Sequence, residues 1–239
     1  MERTIFESEH HLFRESFRQF VDKEIVPNNQ TWEEKGVIDR SLFEIAGSNG
    51  FLGIDIPQEF GGGGIADYRF NQIMQEEFDM AGVAAAASGL GLHNDICIPY
   101  FLEFCSDEQR ERWLPGLVSG QYITAIAMSE PGTGSDLAAI STTATKDGDS
   151  FVLNGAKTFI SNGIISDLVI VAAKTNPEAG HRGVSLLIVE RGMEGFERGR
   201  NLDKVGRHSQ DTAELFFTDV RVPAENLLGE ENKGFYYMM

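Results

Sequence analysis

Residues 126–136 read Ile-Ala-Met-Ser-Glu-Pro-Gly-Thr-Gly-Ser-Asp. An apolar strand ending at Met128 breaks into a loop of glycine, proline and small hydroxyl residues. Pro131, Gly132 and Gly134 keep side chains out of the way, so backbone N–H groups can approach a flat or anionic ligand. Ser129, Thr133 and Ser135 add hydroxyls that donate or accept. Glu130 and Asp136 are acidic, so the loop is not a simple phosphate cradle. It lacks the lysine of a P-loop, and no third glycine completes a Gly-x-Gly-x-x-Gly pattern. On composition alone, an ordinary strand-to-turn connection is an equal reading. The five histidines form no His-x3-His or His-Glu-x-x-His pattern, so no metal site is expected. No serine or cysteine sits in a nucleophile-elbow context, so acyl-enzyme chemistry is not expected.

The elements that must carry this loop fall into two halves. Residues 8–26 form a helix pattern, with Leu12, Phe13, Phe17, Phe20, Val21 and Ile25 on one stripe and Pro27 as its stop. Asp39 or Ser41 can cap a second helix carrying Leu42, Phe43 and Ile45. The glycine run 61–64 reads as a turn before it reads as a ligand site. Asp67 caps a long helix through Met74, Phe78 and Val83, and helix continues over 93–105. Ser106 and Gln109 form a capping box for the next helix, which Gly120 ends. After Gly120 the pattern changes to short, β-branched or aromatic segments at 122–128, 141–145, 151–153, 159–160, 168–174, 184–190 and 215–218. Asp147-Gly148 and Asn154-Gly155 are hairpin-type turns. The expectation is an α+β multidomain chain: an all-α domain over 1–120, an antiparallel β-barrel or sandwich over 121–225, and the start of a new helix over 226–239.

Bulk composition excludes several functions. The 239 residues carry 20 Lys+Arg against 37 Asp+Glu, a net charge of −17, which repels phosphate backbones and argues against nucleic acid. No apolar run approaches the roughly 20 residues of a membrane span. No transit or signal segment opens the chain, so a cytoplasmic protein is expected, with a processed matrix protein as the equivalent alternative. Cys97 and Cys105 lack metal-ligand spacing and read as buried free thiols rather than a disulfide.

The segment 127–136 closely resembles the N-terminal signature of the acyl-CoA dehydrogenases. Thr133 departs from it, standing where that family usually has alanine or another small residue, and so puts a methyl and a hydroxyl beside the presumed ligand. Lys157-Thr158-Phe159-Ile160-Ser161-Asn162-Gly163 and Gln210-Asp211-Thr212-Ala213-Glu214-Leu215-Phe216-Phe217 resemble the family in the same order. The resemblance covers essentially the whole chain and is strongest for the long-chain branch. It implies FAD-dependent α,β-dehydrogenation of acyl-CoA thioesters. By family position, Ile126, Ala127, Met128, Ser129, Gly132, Thr133, Gly134, Phe159, Ile160 and Ser161 contact the FAD. Ser129 and Ser161 then serve its polar edge, and Phe159 packs on its ring. A barrel-core aromatic is the plain alternative for Phe159. Ser135, Arg182 and Gly183 meet the acyl-CoA, with a solvated loop arginine as the alternative for Arg182. His93 and Asn94 lie in a stretch that walls the acyl pocket in the family, with no role assigned to either. Glu130 is expected to hold the loop and not to act as base.

The family also has a C-terminal four-helix bundle that supplies the catalytic base. The resemblance therefore implies a chain with the N-terminal and middle domains only, its base beyond Met239, inactive by itself. It further implies a homotetramer for the full-length enzyme and an electron-transfer flavoprotein or similar acceptor as partner. The alternatives are an acyl-CoA oxidase, or a non-catalytic subunit that binds acyl-CoA or flavin.

Overall fold

The computed structural model describes residues 4–239. Helix α1 (Ser8–Phe20) packs Phe17 edge-on against Phe51 and Phe78, with ring centroids 4.9 and 5.1 Å apart. Leu12, expected on this stripe, is 67% exposed. It lies one residue before Phe13, so it is rotated about 100° off the 13–17–20 line. The chain does not stop at Pro27 either. A π-turn (Val21–Ile25) and a 3-10 turn (Val26–Asn28) lead into α2 (Asn29–Lys35). Pro27 sits in the first turn of the new segment, where a missing N–H leaves no bond unmade.

Helix α3 (Ser41–Ser48) has no side-chain cap. The Asp39 carboxylate instead accepts the Trp32 indole N–H at 3.0 Å. Asp67 does accept the Arg69 N–H at 3.0 Å at the head of α4 (Arg69–Met80), but the helix ends before Val83, at a left-handed Gly82. Helix then runs through α5 (Ala84–Gly91), a π-turn (Leu92–Cys97) and α6 (Ile98–Phe104). The Ser106–Gln109 capping box opens α7 (Asp107–Ser119), and Gly120 closes it. The glycine run is a packed turn: a Cβ on Gly62 would lie 2.1 Å from the Ile56 carbonyl oxygen. Cys97 and Cys105 are buried free thiols.

The second half is one mostly antiparallel sheet. Its strands are β1 (Thr124–Ala127), β2 (Thr143–Asp147), β3 (Ser150–Ser161), β4 (Leu168–Lys174), β5 (Val184–Glu190), β6 (Phe196–Asn201), β7 (Thr212–Pro223) and β8 (Leu227–Leu228). The order is β6-β7-β3-β2-β4-β5-β8, with β1 parallel on β4. β4 and β5 are unbroken apolar runs because both their faces are buried. Leu168, Ile170, Leu186 and Ile188 pack with Phe101, Trp113 and Leu117 of the helices. Val169, Val171, Leu187 and Val189 share a second core with Phe151, Leu153, Leu215 and Val222 of β3 and β7. Each such buried side chain contributes about 1.5–3 kcal/mol.

Asp147-Gly148 makes the β2–β3 hairpin as expected, but Asn154-Gly155 does not turn. The segments at 151–153 and 159–160 are one long strand, and the register slips at Leu153/Gly155 and again at Lys157/Ile160. Gly155 is a bulge residue there; its Cβ would meet the Thr142 side chain at 2.5 Å. β6 and β8 were not foreseen, since Phe-Glu-Arg-Gly-Arg-Asn shows too little apolar alternation and Leu227–Leu228 is too short. The final helix is a single turn, Gly234–Tyr237, with Tyr237 stacked on Phe104 at 3.9 Å.

Candidate functional site

The sequence blocks at 126–136, 157–163 and 210–217 meet in space. Thr158 N–H donates to the Ser129 carbonyl at 3.0 Å. Lys157 Nζ donates to the Met128 carbonyl at 2.9 Å. Ser161 pairs with Thr212 across β3–β7, Asn162 N–H donates to the Asp211 carbonyl at 3.3 Å, and Ile164 N–H to the Asp211 carboxylate at 2.7 Å.

Within the loop, Glu130 and Thr133 exchange both backbone hydrogen bonds, at 2.9 and 3.0 Å, closing a tight turn. The Thr133 hydroxyl donates to the Ala139 carbonyl at 3.3 Å and the side chain is buried. Its extra atoms therefore point into the loop, not toward a ligand as the sequence suggested. Glu130 accepts from Ser141 N–H and Oγ, both at 2.6 Å, from Thr142 N–H at 3.0 Å and from Lys157 Nζ at 2.9 Å. Burial would raise its pKa, but the Ser141 and Thr142 hydrogen bonds and the Lys157 charge outweigh burial and hold it at about 2. Burial is also the largest influence on the fully enclosed Lys157 ammonium, pushing its pKa down despite Glu130. Glu130 is thus a fixed anion that braces the loop.

What the loop leaves free is a set of donors. Among the described residues, nothing accepts the N–H of Ser129, Gly132 or Gly134, or pairs with the hydroxyls of Ser129, Ser135 and Ser161. A Cβ on Gly132 or Gly134 would meet nothing within 4 Å, so the protein interior does not demand glycine at either position. Beside this set stands Phe159. It is 71% exposed, at φ 60°, on the second bulge of β3. A left-handed phenylalanine is strained by about 1–2 kcal/mol and an exposed ring recovers little of it by burial. Phe159 is therefore not the core aromatic that was its alternative reading. Ala127 and Ile160 are buried in the sheet's own core, so only their backbones can reach a ligand, whereas Ile126 is half-buried and packs toward the helices.

Ser135 and Arg182 are exposed, and the 177–183 turn packs beside the Leu137–Ala139 turn that follows Ser135. Gly183 is different. It is buried, its carbonyl accepts from Thr175 and Asn176 N–H groups, and a Cβ would lie 1.8 Å from the Asn176 oxygen. It closes the β4–β5 connection and presents nothing outward. His93 and Asn94 are also internal. His93 bonds the Thr124 hydroxyl at 2.7 Å and the Leu117 carbonyl at 3.1 Å, and burial lowers its pKa to about 4, so it is neutral. Asn94 bridges Gly53 N–H and the Phe51 carbonyl.

Sequence reasoning missed Asn162 and Asp211 as supports of the site. Asn162 is buried at φ 58° and its amide donates to the Gly89 and Thr124 carbonyls at 3.1 and 3.0 Å. The dipeptide Asn-Gly was the available signal, since asparagine tolerates this conformation. A cleft of about 690 Å³ between Phe104, Gln109, Arg112, Glu225 and Leu227 contains none of the expected site residues. The loop faces an open surface instead.

An exposed strained aromatic thus stands beside unused N–H and hydroxyl donors, on a mostly antiparallel sheet that follows a helical region. The sequence matches the acyl-CoA dehydrogenase N-terminal domain over residues 7–121 and the middle domain over residues 125–220. The chain belongs to the acyl-CoA dehydrogenase family and carries those two domains. It is 50% identical over 239 residues to the mitochondrial long-chain specific acyl-CoA dehydrogenase of Sus scrofa, covering 99% of this chain and 55% of that protein. The acyl-CoA dehydrogenase structure from Geobacillus kaustophilus superposes with a TM-score of 0.96 at 53% identity, covering 100% of this chain and 62% of that one. An acyl-CoA dehydrogenase from Bacillus anthracis, solved complexed with FAD, gives a TM-score of 0.89 at 33% identity, covering 100% of this chain and 40% of that one. The chain spans about half the length of the curated relatives it matches.

Proposed function

We propose that this chain supplies the FAD and acyl-CoA contacts of a dehydrogenase that converts acyl-CoA thioesters to 2-enoyl-CoA, of the long-chain type. The boundaries proposed for its two domains are near residues 120 and 225. The observation that carries the reading is the exposed Phe159 at φ 60° next to the unpartnered donors of Ser129 and Ser161.

The donor set suits FAD. Ser129, Gly132 and Gly134 offer N–H groups and Ser129 and Ser161 offer hydroxyls, matching the carbonyl-rich edge of a flavin ring. Phe159 offers a flat apolar face to the ring itself. Gly132 and Gly134 have room for a ligand to approach the backbone closely. FAD held by these residues would supply the hydride-accepting chemistry that the dehydrogenation needs. The chain's residues orient both partners. Ser135 and Arg182 lie on the neighbouring turns and would take the pantetheine or phosphates of the acyl-CoA, the guanidinium supplying local positive charge that the net −17 does not. Glu130 is not the base. Four donors hold its carboxylate, so it is neither free nor basic enough to take an α-proton. That proton is assigned to a carboxylate outside residues 1–239, and the chain alone is expected to bind without turnover. An electron-transfer flavoprotein or similar acceptor, a tetrameric assembly and a cytoplasmic location belong to the same proposal.

The test is an FAD titration of the purified protein, followed by visible absorbance and by quenching of flavin fluorescence. Replacing Ser129 and Ser161 together with alanine should weaken retention, by on the order of 1 kcal/mol for each hydrogen bond lost. Equal affinity in the double variant, or no binding by the parent, defeats the assignment.

A further inference from the structure

Among the described residues, Lys157 is the one buried lysine or arginine, and the proposed reaction does not use it. Its ammonium is wholly enclosed, yet Glu130 would be well satisfied without it, holding the Ser141 N–H, the Ser141 hydroxyl and the Thr142 N–H. A buried ion pair can often be replaced by apolar side chains of similar volume with no loss of stability. Neutralising Glu130 is therefore a weak reason to enclose an ammonium here. Its other contact is more specific. Lys157 Nζ donates to the Met128 carbonyl at 2.9 Å. That carbonyl and the Ser129 N–H belong to the same peptide group, and the Ser129 N–H is one of the free donors of the site. A cation on the oxygen of an amide withdraws electron density and makes its N–H a stronger donor. Such coupling is strongest where water is absent. The next carbonyl along, Ser129 itself, accepts the Thr158 N–H at 3.0 Å, so the whole peptide is fixed in direction.

We propose that Lys157 is a positioning residue that polarises the Met128–Ser129 peptide, so that the Ser129 N–H favours the electron-richer, reduced state of a bound flavin over the oxidised state. This rests on the proposed flavin site. A donor tuned in this way raises the tendency of the ring to accept electrons, since hydrogen bonds and charges near the ring set its electronics. Glu130 has a second part in the arrangement: it keeps the lysine charged and aimed, by a contact of 2.9 Å.

The experiment compares binding of oxidised and dithionite-reduced FAD to the parent protein and to the Lys157→Met/Glu130→Gln variant, which removes both charges together. Circular dichroism and thermal melting establish that the variant is folded. Oxidised FAD should bind within about threefold of the parent. Reduced FAD should bind more weakly by about tenfold beyond any change in the oxidised state, and that tenfold fall in the affinity ratio is, for a two-electron couple, a midpoint lower by about 30 mV. Where the methionine variant does not fold, Lys157→Gln/Glu130→Gln keeps an uncharged N–H donor, one bond shorter than the lysine. It should lose about threefold of the same discrimination. Equal weakening of both redox states would make Lys157 merely structural and overturn the inference. A parent protein that binds neither form would defeat the flavin site itself, and this inference with it.

Discussion

Glu33, on α2, accepts the Ser209 backbone N–H at 3.0 Å and also the Ser209 hydroxyl. Ser209 lies just before β7, so a carboxylate from the helical half fixes the turn that delivers Asp211 to Asn162. His208 N–H donates to the same carboxylate at 3.3 Å. Replacing Glu33 with alanine should cost about 1–3 kcal/mol, because the buried Ser209 hydroxyl is left without its acceptor. Urea denaturation reads the loss, and a change below about 0.5 kcal/mol would show that the turn holds itself.

Phe159 gives a prediction with opposite signs for stability and binding. Glycine at this position relieves the left-handed strain and removes an exposed ring, offset by the entropy of an added glycine. Phe159→Gly should leave the cofactor-free protein as stable as the parent or more stable, by up to about 1 kcal/mol. The same change should weaken FAD binding by at least tenfold. Destabilisation of more than about 1 kcal/mol without flavin would mean that the ring is needed by the fold.

The glycines separate in the same way. Gly132→Ala meets open space and should change stability by less than about 0.5 kcal/mol while weakening FAD binding. Gly183→Ala drives a methyl onto the Asn176 carbonyl and should destabilise by roughly 1–3 kcal/mol. Parallel thermal melts of the two variants decide the matter; similar melting losses would contradict the distinction.

Acid should weaken the fold in two windows. His93 has a folded pKa of about 4, below the usual 6.5, so the unfolded chain binds the extra proton between those values. Its contribution is fully present above pH 6.5 and is lost as pH falls toward 4. Glu130 is held at about 2 against 4.5, so its contribution is present above pH 4.5 and is lost as pH falls toward 2. Urea midpoints measured from pH 7 to pH 3 should fall from about pH 6.5 downward. His93→Gln should flatten the upper part of that curve, and an unchanged slope would place the acid sensitivity elsewhere.

The sequence by itself determined the helical-then-β order of the chain and its family. Helical periodicity around Phe13, Phe17 and Phe20, the Ser106–Gln109 capping box and the apolar runs of β4 and β5 are local signals, each written in neighbouring residues. The exact bounds of β4 and β5 followed from them. The loop at 126–136 was legible because its glycines and hydroxyls are contiguous. Tertiary structure decided what contiguity cannot carry. Asn154-Gly155 has the chemistry of a turn, yet pairing with β7 on one side and β2 on the other keeps the chain extended there. Phe159 reads as a core aromatic by type, and only the register slip at Lys157/Ile160 turns it out to solvent. Gly183 reads as a loop glycine, but the return of Asn176 against it makes it a packing residue. Glu130 and Lys157 stand far apart in sequence, and no local pattern distinguishes them from surface charges. Their pairing inside the protein follows from β3 crossing behind the loop, a long-range contact that only the folded chain can specify.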